Sequence, residues 1–262
     1  MSKKNSSQLT FWGHIEELRK ILFKSLAVVA VFTIVAFVCK NILFDILLAP
    51  SKSDFVTYRL FCVLGQILHI DICPKPFDAQ LISTQLASQF MIHLSISFYA
   101  GILVALPYIL YQLFRFISPA LYENEQKYSS KVLFFSFFLF ATGVLLNYFL
   151  IFPLSFRFLI TYQTDEAVAN MITLNSYVDT LTMLSLMIGL MTELPIIAWL
   201  LAKLNILSAS FMRKYRRHVV VVLLIVAAII TPTADIFTLL LVFVPIYLLY
   251  EVSVVIVGKV NF

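Results

Sequence analysis

Long stretches without a single charged residue constrain this chain more than any other feature of its sequence. Neither the run from Ala79 to Phe114 nor the segment 132–153 contains an Asp, Glu, Lys or Arg. Crossing the hydrocarbon core of a bilayer takes about 20 apolar residues in a helix, and water is not available there to satisfy an open backbone. Stretches of this length therefore predict membrane-spanning helices.

Composition and charge point to the same class. Of the 262 residues, 61% are hydrophobic and 13% are charged, whereas soluble domains carry about 25% charged residues. The net charge is +5, but the basic residues form no arm or stripe, so the excess indicates membrane orientation rather than a nucleic-acid partner. The N-terminal segment lacks a small-residue cleavage site, so we expect no removable signal peptide. The prediction is one integral membrane domain over residues 1–262, embedded in lipid.

The apolar runs divide into six predicted spans. The fourth is interrupted by Glu193, and the last two are separated by the turn TPTAD, with Pro232 as the breaker. An external loop over 45–83 joins the first two spans. The predicted fold class is an all-α membrane protein, a bundle with spans near 21–44, 84–113, 131–153, 173–201, 218–231 and 235–257.

The last two predicted helices are short. Each apolar run has about 14 residues, which at the helical rise gives about 21 Å, against a hydrocarbon core of about 30 Å. Such a mismatch is relieved by local thinning of the bilayer or by association with other helices. We therefore expect thinning beside these two helices and docking of single-span partners there.

Orientation follows from the distribution of lysine and arginine. One set of loops and termini holds 14 of these residues and the opposite set holds five, which together make the 19 in the chain. Loops rich in Lys and Arg remain in the cytoplasm. The sequence predicts a cytoplasmic N-terminus and a cytoplasmic C-terminus (N-in and C-in), as six spans require.

The predicted external loop contains two of the three cysteines, Cys62 and Cys73. Two cysteines in one exported loop are compatible with a disulfide in an oxidising compartment. Two unpaired thiols in a half-buried loop fit the sequence equally well. Cys39 lies at a helix end and is expected to pack as an ordinary small apolar residue.

Two predicted cytoplasmic carboxylates have no base four residues ahead. The segment from Phe11 to Leu22 has the apolar spacing of an amphipathic helix that runs into the first span. In it Glu16 has Lys20 at the favoured spacing, whereas Glu17 has Ile21. In the loop after the second span Glu123 likewise has Lys127, whereas Glu125 has Ser129. Two such carboxylates are able to bind two guanidinium groups bidentately, although spacing alone favours an ordinary solvated charged face.

Two further acids lie near or within the spans. Glu193 lies inside the fourth span, where an acid is costly and by default indicates function; a helix-to-helix hydrogen bond is an equally weighted interpretation. Asp235 is expected to cap the sixth helix. No metalloprotease, phosphate-loop or serine-hydrolase motif is present and the four histidines are scattered, so we predict no catalytic residues, no metal and no cofactor.

Five segments, in order along nearly the whole chain, resemble the conserved segments of the TatC family, the multi-helix receptor of the twin-arginine protein translocase. They lie at the matching places of the topology derived above. The segments are His14-Ile15-Glu16-Glu17-Leu18-Arg19, Phe116 to Tyr122 followed by Glu125, Asn147-Tyr148 to Phe156, Glu193-Leu194-Pro195, and Thr231-Pro232 with Asp235.

The resemblance implies a function and its residues. It implies recognition of twin-arginine signal peptides on folded cargo, with TatA- and TatB-type single-span partners, homo- or hetero-oligomers, and transport driven by the proton-motive force across the bacterial cytoplasmic (inner) membrane. Glu17 and Glu125 would pair with the two arginines. Phe116 and Leu121 would shape the adjoining surface, and His14 and Arg19 would position the N-terminal helix. The resemblance places Glu193 on a concave face of the bundle, where it contacts water or a partner, with Asp235 as a second polar residue of this region.

Two other classes of protein are compatible with parts of the sequence. A small-solute or ion transporter would use Glu193 as its coupling acid, but no inverted repeat is visible. A membrane-embedded enzyme would need a nucleophile or metal set that the sequence does not present. Flux from this chain alone in liposomes would distinguish the transporter from the translocase subunit.

The asymmetry of basic residues generates the first testable prediction. Single cysteines introduced near Ser6 and Ser208 should react only with reagents that reach the cytoplasmic side, because both positions lie in the base-rich set of segments. A cysteine near Asp71 should react from the outside. Cysteine-accessibility labelling in intact cells and inverted vesicles measures both; a cytoplasmic position near Asp71 would contradict the orientation.

Overall fold

The structure is a computed structural model that describes residues 11–68, 77, 81–117, 129–162, 165, 170–233 and 235–260. Nearly all of these residues are helical. The helices are α1 (Phe11–Val38), α2 (Lys40–Leu48), α3 (Val56–Leu68), α4 (Ser88–Ile117), α5 (Ser129–Leu146), α6 (Phe152–Thr161), α7 (Leu174–Met191), α8 (Leu194–Lys203), α9 (Ala209–Lys214), α10 (Arg216–Ile230) and α11 (Ile236–Gly258). A short 3₁₀ turn (Ala49–Ser51) follows α2, and a π-helical turn (Asn147–Ile151) joins α5 to α6.

Five helical segments are long and apolar enough to cross a bilayer, so the prediction of a multi-pass, mostly helical membrane protein is confirmed. The third segment runs through α5, the π-helical turn and α6, and the fourth through α7 and α8. The segments are Ile15–Val38, Ser88–Phe116, Val132–Thr161, Leu174–Lys203 and Ile236–Gly258. Helix α10 has 15 residues, about 22 Å at the helical rise. It is as short as predicted, and the sixth span stays a prediction.

The prediction that both final helices are short is wrong for α11. This helix has 23 residues, about 34 Å, and continues well past Tyr250, where the apolar run ends. Glu251 lies within this helix, and its carboxylate accepts hydrogen bonds from Arg216 Nη2 at 2.8 Å and from the Tyr247 hydroxyl at 2.9 Å. An acid that is paired in this way is tolerated inside a helix at the membrane surface.

Two very short strands add a feature that the all-α prediction did not contain. β1 (Leu81–Ile82) precedes α4 and β2 (Ile172–Thr173) precedes α7, and they pair in parallel with Leu81 opposite Ile172. The Thr173 side chain then caps α7 by accepting the Ser176 backbone N–H at 3.3 Å. The pairing fixes the starts of α4 and α7 beside each other at the predicted external end.

Helix α1 packs along α4, and the contact is close because Gly101 has no side chain. A Cβ at Gly101 would lie 2.8 Å from the backbone nitrogen and 3.0 Å from the Cα of Thr33. Apolar surfaces gain little by associating in lipid, so helices there associate through close backbone approach at small residues. Gly101 therefore sets the separation of α1 and α4.

The segment between α1 and α4 folds back through tyrosine hydroxyls onto the ends of the other helices that are predicted to be external. Tyr58 of α3 donates to the Pro153 carbonyl at 3.0 Å, and burial raises the pKa of this hydroxyl, which keeps it a donor. Tyr177 donates to the Leu47 carbonyl at 2.8 Å and Tyr148 to the Ile46 carbonyl at 2.6 Å. These bonds join α2 and α3 to the third and fourth spans.

The cysteines of this region differ in state. Cys62 in α3 is disulfide-bonded, and Cys39 is an exposed free thiol at the end of α1 rather than the packed residue that we expected. Cys73 lies outside the described residues. The Cys62–Cys73 pairing therefore stays a prediction.

The α1–α4 contact generates a stability prediction. Gly101→Ala should lower the free energy of unfolding by about 1–3 kcal/mol, because the added methyl group meets backbone atoms of Thr33 that cannot rotate away. Thermal unfolding of the purified protein in detergent measures the effect. Gly258→Ala is the matched control, since a Cβ there would have only ordinary contacts at 3.5 and 3.8 Å. Equal stability of the two variants would show that α1 and α4 do not depend on this contact.

Candidate functional site

The N-terminal part of α1 and the C-terminal end of α4 lie at the same level of the bundle. The two helices are antiparallel and make their closest contact between Thr33 and Gly101. Glu17 precedes Thr33 by 16 residues and Ile117 follows Gly101 by 16 residues, so both lie about 24 Å from the contact at 1.5 Å per residue. Glu17 is thus level with the point where α4 ends, eight residues before Glu125 in the sequence.

The two adjacent glutamates of α1 differ in their contacts, as their spacing predicts. Glu16 forms an i, i+4 ion pair with Lys20 at 2.8 Å, which confirms that part of the prediction. Glu17 is exposed and has no ion pair or side-chain hydrogen bond to any residue that the structure describes. Its carboxylate is open to solvent and available to a ligand.

The remaining residues predicted for recognition are only partly described. Arg19 is exposed on α1, two residues after Glu17, and Phe116 is partly buried at the end of α4. His14 belongs to α1, but its side chain lies outside the described part of the chain, as do Leu121 and Glu125. The structure therefore places Glu17 and Phe116 at one level of the bundle, and the approach of Glu125 stays a prediction.

A second candidate site lies inside the bundle at Glu193. Helix α7 ends at Met191 and α8 begins at Leu194, with Thr192 and Glu193 in a turn between them. Pro195 explains the interruption, because it has no N–H to donate to the Met191 carbonyl. Glu193 is 3% exposed, so the break turns an acidic side chain into the protein interior.

The Glu193 carboxylate has one partner and one open acceptor. Ser136 of α5, which is fully buried, donates its hydroxyl to Glu193 Oε2 at 2.6 Å. Oε1 is buried without a hydrogen-bond partner in the described part of the chain. A buried oxygen without a partner is costly, and it is an acceptor for a donor from another molecule. The helix-to-helix hydrogen bond is present, and the open oxygen leaves a functional role compatible with it.

The interface between α5 and α7 carries a second buried polar pair, which the sequence reasoning missed. Asn147 is fully buried and donates its Nδ2 to Ser185 Oγ at 2.8 Å, while its Oδ1 has no described partner. It is the first residue of the π-helical turn, and such turns frequently lie at functional sites. The available signal was an asparagine in an otherwise apolar run, because a polar residue within a span usually needs a partner on a neighbouring helix.

Small residues bring α5 and α7 close enough for these bonds. A Cβ at Gly143 would lie 2.6 Å from the Thr192 side chain and 3.1 Å from the Gly189 Cα. A Cβ at Gly189 would lie 2.6 Å from the Phe140 ring. The two polar pairs lie on either side of this glycine contact along the same interface.

Asp235 has the capping role that the sequence predicts. Its Oδ1 accepts the Thr238 backbone N–H at 2.6 Å at the start of α11, which confirms the cap. The second oxygen, Oδ2, is buried without a described partner. No cluster of three or more His, Cys, Asp and Glu side chains that could hold a metal ion occurs among the described residues.

Comparisons with known proteins place this architecture beside one family. The model of the family "Sec-independent protein translocase protein (TatC)" matches residues 13–245. The TatC protein of Blattabacterium is 37% identical over 256 residues, 96% of each chain. That of Deinococcus radiodurans is 34% identical over 93% of this chain and 84% of its own length. That of Campylobacter jejuni is 32% identical over 95% of this chain and 93% of its own.

Solved structures give the same result. A crystal structure of the twin-arginine translocase receptor TatC superposes with a TM-score of 0.75 and 28% identity, over 93% of this chain and 97% of that chain. A second, determined in the detergent DDM, gives a TM-score of 0.77 and 28% identity, over 94% of this chain and 100% of the other. The agreement extends over nearly the whole fold.

The Ser136–Glu193 bond generates a prediction about the stability of the protein. Ser136→Ala should lower the free energy of unfolding by about 1–3 kcal/mol, because it leaves the second oxygen of a buried carboxylate without a partner. Glu193→Gln should remain close to wild type, since its amide oxygen still accepts from Ser136. Denaturant or thermal unfolding in detergent measures both.

Thr142→Ala is the control for the loss of a hydroxyl from α5. Thr142 is exposed, and its hydroxyl donates only within its own helix, to the Phe138 carbonyl at 2.7 Å. We expect a change within about 0.5 kcal/mol. If Ser136→Ala proves no more destabilising than Thr142→Ala, the bond to Glu193 does not hold α5 against α8.

Proposed function

The chain belongs to the TatC family of Sec-independent protein translocase proteins, and from this premise we propose how it recognises its cargo. Its function is protein translocation. We propose that it binds the twin-arginine signal peptides of folded proteins at the cytoplasmic face of a bacterial inner membrane, with both termini in the cytoplasm. The proposal rests mainly on one observation: the Glu17 carboxylate is exposed and has no partner among the described residues, whereas the neighbouring Glu16 pairs with Lys20.

The chemistry of two adjacent arginines suits two carboxylates on separate segments. A guanidinium group presents a planar fork of N–H donors that a carboxylate binds with two parallel hydrogen bonds. Glu17 offers one such carboxylate from α1. Glu125 offers the second, because it follows the end of α4 by eight residues in the sequence and α4 ends level with Glu17. We propose that each glutamate binds one arginine of the signal peptide.

The neighbouring residues have supporting roles in this proposal. Phe116 and Leu121 form an apolar surface beside the carboxylates, on which residues that follow the arginines pack. Arg19 and His14 position the N-terminal part of α1. This division keeps the charged recognition in water, where burial does not penalise the ions, and leaves the apolar part of the signal peptide to lie along the bundle.

Glu193 belongs to a separate step. Its open Oε1 faces no described donor, and we propose that a polar side chain of a TatA- or TatB-type single-span partner supplies one. We propose that the bilayer is thin beside the short helix α10, which favours association of partner helices at the hairpin formed by α10 and α11. In this proposal the turn at Asp235 is the external end of that hairpin. The proton-motive force drives transport in this proposal, and the chain acts in an oligomer.

Family membership favours translocation over the transporter interpretation. A small-solute or ion transporter would use Glu193 as a coupling acid. In the structure Glu193 accepts a hydrogen bond from Ser136 of a neighbouring helix, so it has a role in helix packing. No observation on the described residues indicates a solute pathway. Recognition of a protein signal is therefore the function that we propose.

The contrast between Glu16 and Glu17 generates a binding prediction. A charge-assisted hydrogen bond contributes about 1.5–3 kcal/mol, and exposure reduces this toward the 0–1 kcal/mol of surface pairs. Glu17→Gln and Glu125→Gln should therefore each weaken signal-peptide binding by about tenfold. Fluorescence anisotropy of a labelled twin-arginine peptide titrated with the detergent-purified protein measures the affinity.

Glu16→Gln is the matched control, because it removes a charge one residue away that Lys20 already neutralises. It should leave the affinity unchanged. Lysine cannot reproduce the bidentate fork, so a double-mutant cycle between Glu17→Gln and an arginine-to-lysine peptide should show coupling. Equal losses for Glu16→Gln and Glu17→Gln would mean that the helix needs only negative charge, and the specific site would be wrong.

A further inference from the structure

A pocket of about 260 Å³ opens between α8, α9 and the C-terminal half of α11. We call it the α8–α9 pocket, and its lining includes Ile197, Leu201, Phe211, Val219, Tyr250 and Ser253. Its few polar atoms are already satisfied. The Tyr250 hydroxyl donates to the Met212 carbonyl at 2.8 Å, and the Ser253 hydroxyl to the Leu249 carbonyl at 2.7 Å. The pocket is therefore suited to an apolar ligand.

The length of the pocket wall matches one leaflet of a bilayer. Helix α8 has ten residues, Leu194–Lys203, which gives about 15 Å. The hydrocarbon core is about 30 Å thick, so one leaflet is about as deep as α8 is long. The wall runs from the buried Glu193 turn at one end to Lys203 and α9 at the other. An acyl chain of a phospholipid spans one leaflet and therefore has about the same length as this wall.

A group of exposed bases lies beside the end of this pocket that α9 forms. We call Arg213, Lys214 and Arg217 the basic rim; all three are exposed, and none forms an ion pair with an acid in the described ranges. Arg216, between them, differs because it pairs with Glu251 at 2.8 Å. Arg213 and Lys214 form the last turn of the short helix α9, whose Met212 carbonyl accepts the Tyr250 hydroxyl of α11.

We propose that the α8–α9 pocket and the basic rim bind one anionic phospholipid. One acyl chain lies against α8 inside the pocket, and the headgroup phosphate contacts the basic rim. Guanidinium groups bind phosphate oxygens bidentately, and basic pockets between membrane helices suit anionic headgroups. The fold thereby holds a lipid where α8, α9 and α11 meet.

Charge distinguishes this lipid from a signal peptide as the occupant. A peptide that carries two arginines would meet the bases of the rim with like charge, which disfavours binding. The phosphate of a lipid meets them with opposite charge. The site therefore goes beyond the function proposed above, and it does not depend on Glu17 or Glu125.

Titration of delipidated, detergent-purified protein with defined lipids, followed by native mass spectrometry, tests the proposal. Phosphatidylglycerol should bind more tightly than phosphatidylcholine with the same acyl chains. Excess inorganic phosphate should not displace it, because the pocket contributes through the acyl chain. Equal affinity for the two lipids, or displacement by phosphate alone, would overturn the proposal.

Two kinds of variant test the two halves of the site separately. Arg213→Gln with Arg217→Gln should weaken phosphatidylglycerol binding by about thirtyfold, at the usual contribution of a base near an anionic lipid, and leave phosphatidylcholine unchanged. Ile197→Trp, which fills the pocket from a half-exposed position, should weaken both lipids. Because the second variant keeps every charge, it remains informative if the first fails to fold.

The matched control removes two exposed bases from the predicted cytoplasmic ends of other helices. Lys24→Gln with Arg115→Gln alters α1 and α4 and should leave the affinity for phosphatidylglycerol within about twofold, since neither residue borders the pocket. A loss as large as that of the rim variant would mean that only the overall charge matters. Displacement of the lipid by a twin-arginine peptide, with no effect of Ile197→Trp, would assign the rim to the peptide and overturn the proposal.

Discussion

Hydrocarbon provides no hydrogen-bond partner, and this constraint determines how each polar side chain of the spans is used. Several serine and threonine hydroxyls donate to the carbonyl one turn earlier in their own helix, as Ser97 does to His93 and Thr182 to Val178. Two buried side chains with more than one polar atom instead bond to a second helix, Glu193 to Ser136 and Asn147 to Ser185. These two pairs select the face of α5 that packs against α7 and α8, because any other rotation would leave them in lipid.

The same constraint makes small residues decisive for the distances between helices. Without a hydrophobic driving force in lipid, the spans associate through close packing and polar bonds. Gly143 and Gly189 let α5 and α7 approach closely enough for the flanking polar pairs to form, and Gly101 does the same for α1 and α4. The α1–α4 contact also sets the level of Glu17. The Thr33–Gly101 contact thereby determines which residue of α1 lies level with the end of α4, about 24 Å away.

Much of the fold could be predicted from the sequence, because uncharged runs and breakers are local signals. The spans, the short α10, the Glu16–Lys20 pair and the Asp235 cap all depend on residues within a few positions of one another. The predicted bounds of the sixth span, 235–257, agree with α11, and only the estimate of length from the apolar run was too short; the Arg216–Glu251 pair, which joins residues 35 positions apart, could not be predicted. The Asn147–Ser185 pair and the strand pairing are equally non-local. For the candidate site, the sequence predicted the helix α1 and the contrast between Glu16 and Glu17. The height of Glu17 relative to α4 could be read only from the contact between Thr33 and Gly101 in the structure.

In the proposed function, signal-peptide recognition and partner binding place opposite demands on a carboxylate, and Glu17 and Glu193 would satisfy them separately. Glu17 is exposed, so in this proposal a guanidinium group replaces water at its carboxylate, and discrimination comes from the planar geometry of the guanidinium fork. Glu193 is buried, so its one bond to Ser136 is maintained by the absence of water, and a second donor adds to a site that is already desolvated. A carboxylate that is half-exposed and already paired would suit neither recognition of a guanidinium group nor binding of a partner's donor. The fold separates the two along its height, because Glu17 lies near the start of α1 whereas Glu193 lies buried at the break between α7 and α8.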